Sequence, residues 1–462
     1  MLDRFLSLRS TLQWETWQRW VIVAALLAMA VYAGRRPSWM LVIAPFVMVA
    51  GALVVRRPWL GLLAVVVAGL SIPWGMGTGT QTELSLTVLL IAALSGLLFL
   101  DIFSVRRRTF IGARPIWPLF ALIGAALVSL VAGLQPWHMF ALTAPLPSQM
   151  GSVAIYVLSV AAFLLAAHYL TRLSQLRWLV WLFLAAGALY IASRALSVSP
   201  PPIWPGNPNG ATGSLLWIWL VALAFSQAVF NDSLRRPWRG ALLALSAATL
   251  GVGWILGRDW VSGWLPPLIA VLIVLWLKDW RVGLTVSALV AVYFLWVDPH
   301  SSLSVVSEES YSILSRDAAR EALLTQAFPL SPILGLGPAN YWWYSPLFPI
   351  LGYAVKFNSH NNYIDILLQF GLLGMACFAW FSAEIGWLGW RLHRTVADPF
   401  ARAFVNGALA GLGATLLAAW LGDWLLPFVY NIGMGGLRSS VLAWLFLGAL
   451  IAIEQMQRRG EV

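Results

Sequence analysis

The chain has 462 residues, 60% of them apolar and only 10% charged, with a mean hydropathy of +0.80. A soluble domain carries roughly a quarter charged residues, so an ordinary soluble protein is excluded. The formal net charge of +11 looks like a nucleic-acid signal, but membrane topology accounts for it better, and no nucleic-acid partner is expected.

Apolar runs of roughly 17–25 residues separated by arginine clusters predict an all-α polytopic membrane protein. Met1 to Trp20 is charged and amphipathic, lacks a small-residue cleavage site, and reads as a segment along the cytoplasmic membrane surface. Spans are predicted at 20–34, 38–55, 58–73, 84–103, 116–135, 150–170, 176–197, 211–230, 239–257, 261–278, 281–298, 361–390, 402–428 and 438–455. The first three are short and the second contains Pro45, so twelve to fourteen transmembrane helices are expected. Residues 21–298 hold the first eleven, 299–360 form one long polar loop with short helices, and 361–462 hold the last three. The one cysteine, Cys377, falls inside a span, so no intrachain disulfide can form. Tryptophans at span ends, such as Trp39 and Trp59, suit the headgroup region.

With the N-terminus inside, 21 of the 29 basic residues fall on the cytoplasmic side, as the positive-inside rule requires. The 299–360 loop then faces outward. Arg35 and Arg36 violate the rule. Arg194, Arg258, Arg316, Arg320, Lys356 and Arg438 also remain outside, where topology does not explain them.

The 62 residues from Pro299 to His360 are the only long polar interruption, and a loop of that length between membrane helices usually has a task. Ser307-Glu308-Glu309 predicts a helix start, and the helix should run to about Phe328. Leu314, Ala318, Leu324 and Phe328 make an apolar stripe for the membrane surface. Arg316 and Arg320, four apart, share a face where Asp317 and Glu321 can pair with them. Pro329 to Asn340 is a glycine-proline turn. His360 stands at the mouth of the next span beside Ser359, Asn361 and Asn362, and a histidine there can remove a proton from a sugar hydroxyl. Arg258, in Leu-Gly-Arg-Asp-Trp, can present a planar fork to a phosphate or merely pair with Asp259. Arg194 can bind an anion or simply snorkel. Asn209, at the end of a Pro200–Gly210 turn, can cap the next helix or hydrogen-bond a sugar. Lys356 and Asn361 are candidates for the acceptor or sugar. No metal constellation is visible: there is no HExxH, no Asp-x-Asp and no cysteine cluster.

Four of these segments together resemble the O-antigen ligase and polymerase superfamily. Gly206-Asn207-Pro208-Asn209 is similar to its Asn-Pro-Asn segment, and Leu256-Gly257-Arg258 to its Ser-Arg-Gly motif. Arg316-Asp317-Ala318-Ala319-Arg320, followed by Pro332-Ile333-Leu334-Gly335-Leu336-Gly337, looks like its loop helix and Pro-x-x-Gly-x-Gly turn. Ser359-His360-Asn361-Asn362-Tyr363 with Gly371-Leu372-Leu373-Gly374 is similar to its His-Asn-x-Tyr and Gly-x-x-Gly ending. Two positions depart: Gln369 where an acid is frequent, and Gly257 where serine is usual. The resemblance implies a GT-C-like, metal-independent, inverting glycosyltransferase of the bacterial inner membrane, without a cofactor. Its donor would be an undecaprenyl diphosphate-linked glycan, and its acceptor a glycan, a lipid A core or a protein hydroxyl. Arg258 and one of Arg316 or Arg320 would hold the departing diphosphate, and His360 would activate the acceptor. The competing expectation is a transporter or flippase for lipid-linked glycans, which should place its ionisable groups at mid-span. Glu384 is the main candidate for such burial.

Overall fold

The computed structural model describes residues 20, 24, 39–72, 74–77, 83–104, 109–197, 213–258, 260–297 and 310–462. The predicted N-terminal segment, nearly all of the span at 20–34, Arg35, Arg36, the Pro200–Gly210 turn with Asn209, Asp259, His300 and Ser307–Glu309 lie outside them.

Two compact units divide between Leu60 and Gly61. Among described residues the first contains α1 (Trp39–Arg56), an apolar helix carrying Pro45. The chain continues through α2 (Trp59–Ser71) and a short antiparallel ribbon, β1 (Gly75–Gly77) and β2 (Glu83–Ser85). The helices α3 (Leu86–Phe103), α4 (Ile116–Gly133), α5 (Leu146–Tyr169), α6 (Leu173–Ala195), α7 (Ser214–Phe230), α8 (Arg236–Leu256), α9 (Val261–Lys278) and α10 (Trp280–Val292) follow. The polar loop supplies α11 (Ser310–Ala322) and α12 (Asn340–Tyr344). The chain closes with α13 (Asn362–Thr395), α14 (Pro399–Leu421) and α15 (Leu437–Arg458).

Nine helices among the described residues are long and apolar enough to cross a membrane, with four shorter apolar helices beside them. This is an all-α polytopic membrane protein. In hydrocarbon every backbone polar group must be satisfied within its own segment, which selects helices. The core helices α7 and α15 are apolar all round and bury almost every side chain. Outer helices bury one face and leave large apolar residues exposed, among them Phe99, Trp117, Trp178 and Trp238, a surface suited to lipid.

One end of the second unit carries most of the charge. There Arg177 pairs with Asp398 at 3.1 Å, Arg402 with Asp232 at 2.9 Å, and Glu454 with both Arg391 and Arg458. The opposite end receives the polar loop. Arg438, at that end, donates to the carbonyls of Ile72 and Trp74 and so caps α2, a structural use that accounts for one unexplained cation.

The loop enters the bundle through a break in α13. Gly371 has φ +66° and ψ −164°, a region essentially reserved for glycine. The freed backbone groups are taken up by the turn after α11. Leu336 and Gly337 donate to the carbonyls of Leu368 and Gln369 at 2.7 and 3.2 Å, while Leu372 and Leu373 donate to Pro332 and Ile333 at 2.8 and 3.2 Å. Gly335, at φ +74°, packs against the Gln369 backbone with no room for a Cβ. The predicted Pro-x-x-Gly-x-Gly turn and the downstream glycine are therefore two halves of one joint. Gln369 completes it. Its side-chain oxygen accepts from Ser152 Oγ (2.6 Å) and the Ala339 amide (3.1 Å), and its amide donates to Asp365 O at 3.2 Å.

Two expectations need correction, and the packing of α11 needs stating. The span at 402–428 ends at Leu421, because Gly422 is fully extended, and residues 422–436 form a largely irregular segment that carries Asp423 and Asn431. α11 and its π-turn (Leu323–Ala327) bury Ala319, Ala322, Leu323 and Ala327; the last three pack with Tyr341, Tyr344 and Leu368, and Phe328 packs against the same cluster. Leu324, from the stripe expected to face the membrane surface, is exposed. Glu384 is only part-buried, bonded to Trp380, whereas Asp365 and Asp423 are 1% exposed.

Candidate functional site

His360 sits one step outside α13 with φ +46°, a left-handed backbone that a histidine adopts only when its surroundings impose it. The neighbours that impose it are on both sides. Asn361 caps α13, accepting from Tyr363 N–H at 2.9 Å and Ile364 N–H at 3.3 Å, and donates to Trp420 O at 3.1 Å. Ser359 Oγ accepts from the Asn361 amide at 3.0 Å and lies 2.7 Å from Asp365 Oδ1. From α11, Arg320 donates to the carbonyls of Ser359 (3.3 Å) and His360 (3.5 Å) and pairs with Asp317 at 3.6 Å. Of the two loop arginines, then, Arg320 clamps the histidine turn.

Arg316 is the one that faces open space. It lines a cavity of about 280 Å³ together with His360, Lys356, Trp342, Ser315 and Asn358. Lys356 is held over the indoles of Trp343 (3.4 Å) and Trp342 (4.5 Å), cation–π contacts that fix a flexible ammonium at the rim. Trp342 in turn stacks on Tyr430 at 4.3 Å. Asn358 contributes an amide oxygen that is buried and has no hydrogen-bond partner among the described residues.

Burial, reinforced by Arg316 and Arg320, pushes the His360 imidazole down to about 4. The ring is therefore neutral at physiological pH and can accept a proton. Burial also lowers the Arg320 guanidinium, against the opposing pull of Asp317.

Behind the histidine lies a polar cluster that sequence reading missed. Asn431 Nδ2 is 2.6 Å from Asp423 Oδ1 and 3.3 Å from His360 Nδ1. Asp423 Oδ2 accepts from the Phe428 amide at 2.8 Å. Burial raises the Asp423 carboxyl, although the Phe428 and Asn431 donors favour its charged form. Asn362 fastens this segment to α13 through the Leu425 and Leu426 amides and the Leu426 carbonyl. Asp365 Oδ1 accepts from Tyr341 O–H at 2.5 Å. The available signal was an acid inside an apolar run, Gly422-Asp423-Trp424, which reads as functional by default in a membrane protein.

The structure thus brings His360, Arg316 and Lys356 together around one cavity, with Arg320 behind them. Asn361 is buried and caps α13, whereas Asn358 lines the cavity. Arg258 does not line this cavity: its guanidinium lies 4.9 Å from the Trp254 ring, and its carbonyl accepts from Trp264 Nε1. Trp260, in the same α8–α9 turn, contacts Trp424, so both sites lie at the same end of the unit. Arg194 is exposed in the last turn of α6 and does not line the cavity either. No protein-family model matches the sequence, and no curated protein matches it.

Proposed function

We propose that this protein is an inverting glycosyltransferase that moves a glycan from an undecaprenyl diphosphate-linked donor to an acceptor hydroxyl. The carrying observation is a neutral imidazole at a cavity that also holds two cations. His360 takes the hydroxyl proton as the acceptor oxygen bonds to the anomeric carbon. The bond from that carbon to the phosphate breaks on the opposite side, inverting the centre. Charge collects on the leaving diphosphate, where Arg316 and Lys356 stabilise it. Fixed cations serve best here because they need no reorganisation as the charge develops. Arg258 and Arg194, at the same end, guide the anionic headgroup toward the cavity.

Most basic residues occupy the opposite end of the bundle, which by the positive-inside rule is cytoplasmic. The cavity then opens on the outer face of a bacterial inner membrane, in a GT-C-like enzyme. Acceptor glycans, lipid A cores and protein hydroxyls all offer the required nucleophile.

The test is transfer by purified protein from a polyprenyl diphosphate-linked glycan with EDTA present, comparing wild type with Arg316→Gln. Wild type transfers, and Arg316→Gln loses roughly 10²-fold in kcat/KM, the scale for a group that stabilises developing charge. Folded protein that moves lipid-linked glycan across vesicles without any transfer would instead establish the flippase alternative.

The pH profile is a second check. The active form is neutral His360, so kcat/KM should stay level down through pH 6 and fall only as pH drops through about 4. In Arg316→Gln the acid limb moves upward, because one of the charges opposing protonation is gone. An acid limb near 6.5 in the wild type would show that the ring is solvated in the working enzyme.

A further inference from the structure

A neutral imidazole can act as base toward the cavity only if its cavity-facing nitrogen, Nε2, carries a lone pair. Nδ1 faces Asn431, so the amide of Asn431 decides which nitrogen holds the hydrogen. In the arrangement found, Asn431 Nδ2 faces both Asp423 Oδ1 and His360 Nδ1. One N–H then donates to an ionised Asp423 and the other to the Nδ1 lone pair. That leaves the hydrogen on Nε2, where it blocks proton uptake. A half-turn of the amide places its oxygen in the same position. The oxygen can accept from Nδ1–H and from a protonated Asp423 together, freeing Nε2.

We infer that Asn431 is a positioning residue that relays the protonation state of Asp423 to the ring of His360, so that a proton on Asp423 prepares His360 as a base. Several observations carry this. Asp423 is 1% exposed; it accepts from the Phe428 amide and from Asn431, with the Asp423 and Ile432 backbones also bonded to it, so among the described residues its side-chain partner is Asn431, which is itself exposed. Asp365, Tyr341 and Tyr156 stand within electrostatic reach of this cluster, and all three are buried. Two carboxyls in one buried cluster seldom ionise together, so Asp365 and Asp423 share one proton between them, and burial favours the neutral form of Asp423. On the other side His360 faces Arg316 and Arg320 of α11 and shares its cavity with Lys356. These cations oppose a second proton on the ring. During transfer Nε2 takes the acceptor proton, Nδ1–H keeps donating to the Asn431 oxygen, and Asp423 keeps its own proton. The consequence for rate rests on the transferase reading; the tautomer does not.

The experiment has two readouts on the full chain in lipid bilayers. The chain contains five histidines, so ¹⁵N-histidine labelling, with His360→Gln identifying the signal, reports the His360 tautomer without any substrate. Wild type and Asp423→Asn should show a hydrogen on Nδ1 and a bare Nε2, because the side-chain amide introduced by that substitution can donate to Asn431 just as a protonated carboxyl does. Asn431→Ala should shift the population toward Nε2–H. In the transfer assay Asn431→Ala and Asp423→Ala should lower kcat by roughly 10²-fold with little change in donor KM. Asp423→Asn should recover most of that loss. An Nε2–H ring in wild type, or a tautomer indifferent to Asn431, overturns the relay whether or not transfer occurs. Equal loss in Asp423→Asn and Asp423→Ala also overturns it, since a negative charge would then be what matters. A correct tautomer pattern with no dependence of transfer on His360 would leave the relay standing and remove the base from the transferase reading.

Discussion

His360→Gln should lower kcat for glycan transfer by roughly 10²–10⁴-fold, the range that a positioned general base contributes. Glutamine keeps a polar group at the cavity wall but cannot take a proton, so donor KM should change little. Folding should survive: the local backbone is held by Arg320, Ser359 and Asn361, none of which uses the imidazole. The wild-type backbone there already has a positive φ, so the variant adds no new strain. The measurement is kcat and KM in the purified system, alongside a melting curve that matches wild type. Wild-type turnover by a folded His360→Gln protein would place the base elsewhere.

Gly371→Ala has the largest expected effect on stability. A Cβ at this position would strike the Ile333 carbonyl, and the backbone conformation is itself costly for any residue but glycine. Strain of this kind costs about 1–3 kcal/mol before the steric clash is added. Because the break in α13 and the loop turn share four hydrogen bonds, the damage should spread to the turn and to the cavity it supports. Gly240→Ala is the matched control, a helical glycine with nothing within 4 Å of an added Cβ. It should be neutral or gain up to about 1 kcal/mol from helix propensity. Thermal unfolding in detergent, followed by tryptophan fluorescence, separates the two. Equal melting temperatures for Gly371→Ala and wild type would mean that the break in α13 does not hold the loop.

Gln369 has a local task in this fold. Its side-chain oxygen accepts from Ser152 and Ala339, a task a carboxylate oxygen can also perform, while its amide closes a further bond to Asp365 O. The position thus belongs to the joint between loop and helix.

Much of this protein is decided by local sequence. Continuous apolar runs specify membrane helices because hydrocarbon leaves the backbone no other partner, and the observed helices from Leu86 to Lys278 fall within a few residues of the predicted spans. Polar composition likewise marked the stretch before Asn362 and its histidine, arginines and lysine. What composition could not reveal was which side chains meet. Arg316 and Arg320 share a helix face and are equivalent in sequence, yet one lines the cavity and the other clamps the His360 turn, because α11 buries Ala319, Leu323 and Ala327 rather than its neighbouring stripe. Asp423 and Asn431 were concealed in a run whose leucines and tryptophans read as more of the preceding span. They become part of the site only when Asn362 pins that segment against the start of α13. Helices follow from the solvent each residue must satisfy locally, whereas a site built from segments 40 and 71 residues from His360 follows from how the bundle packs.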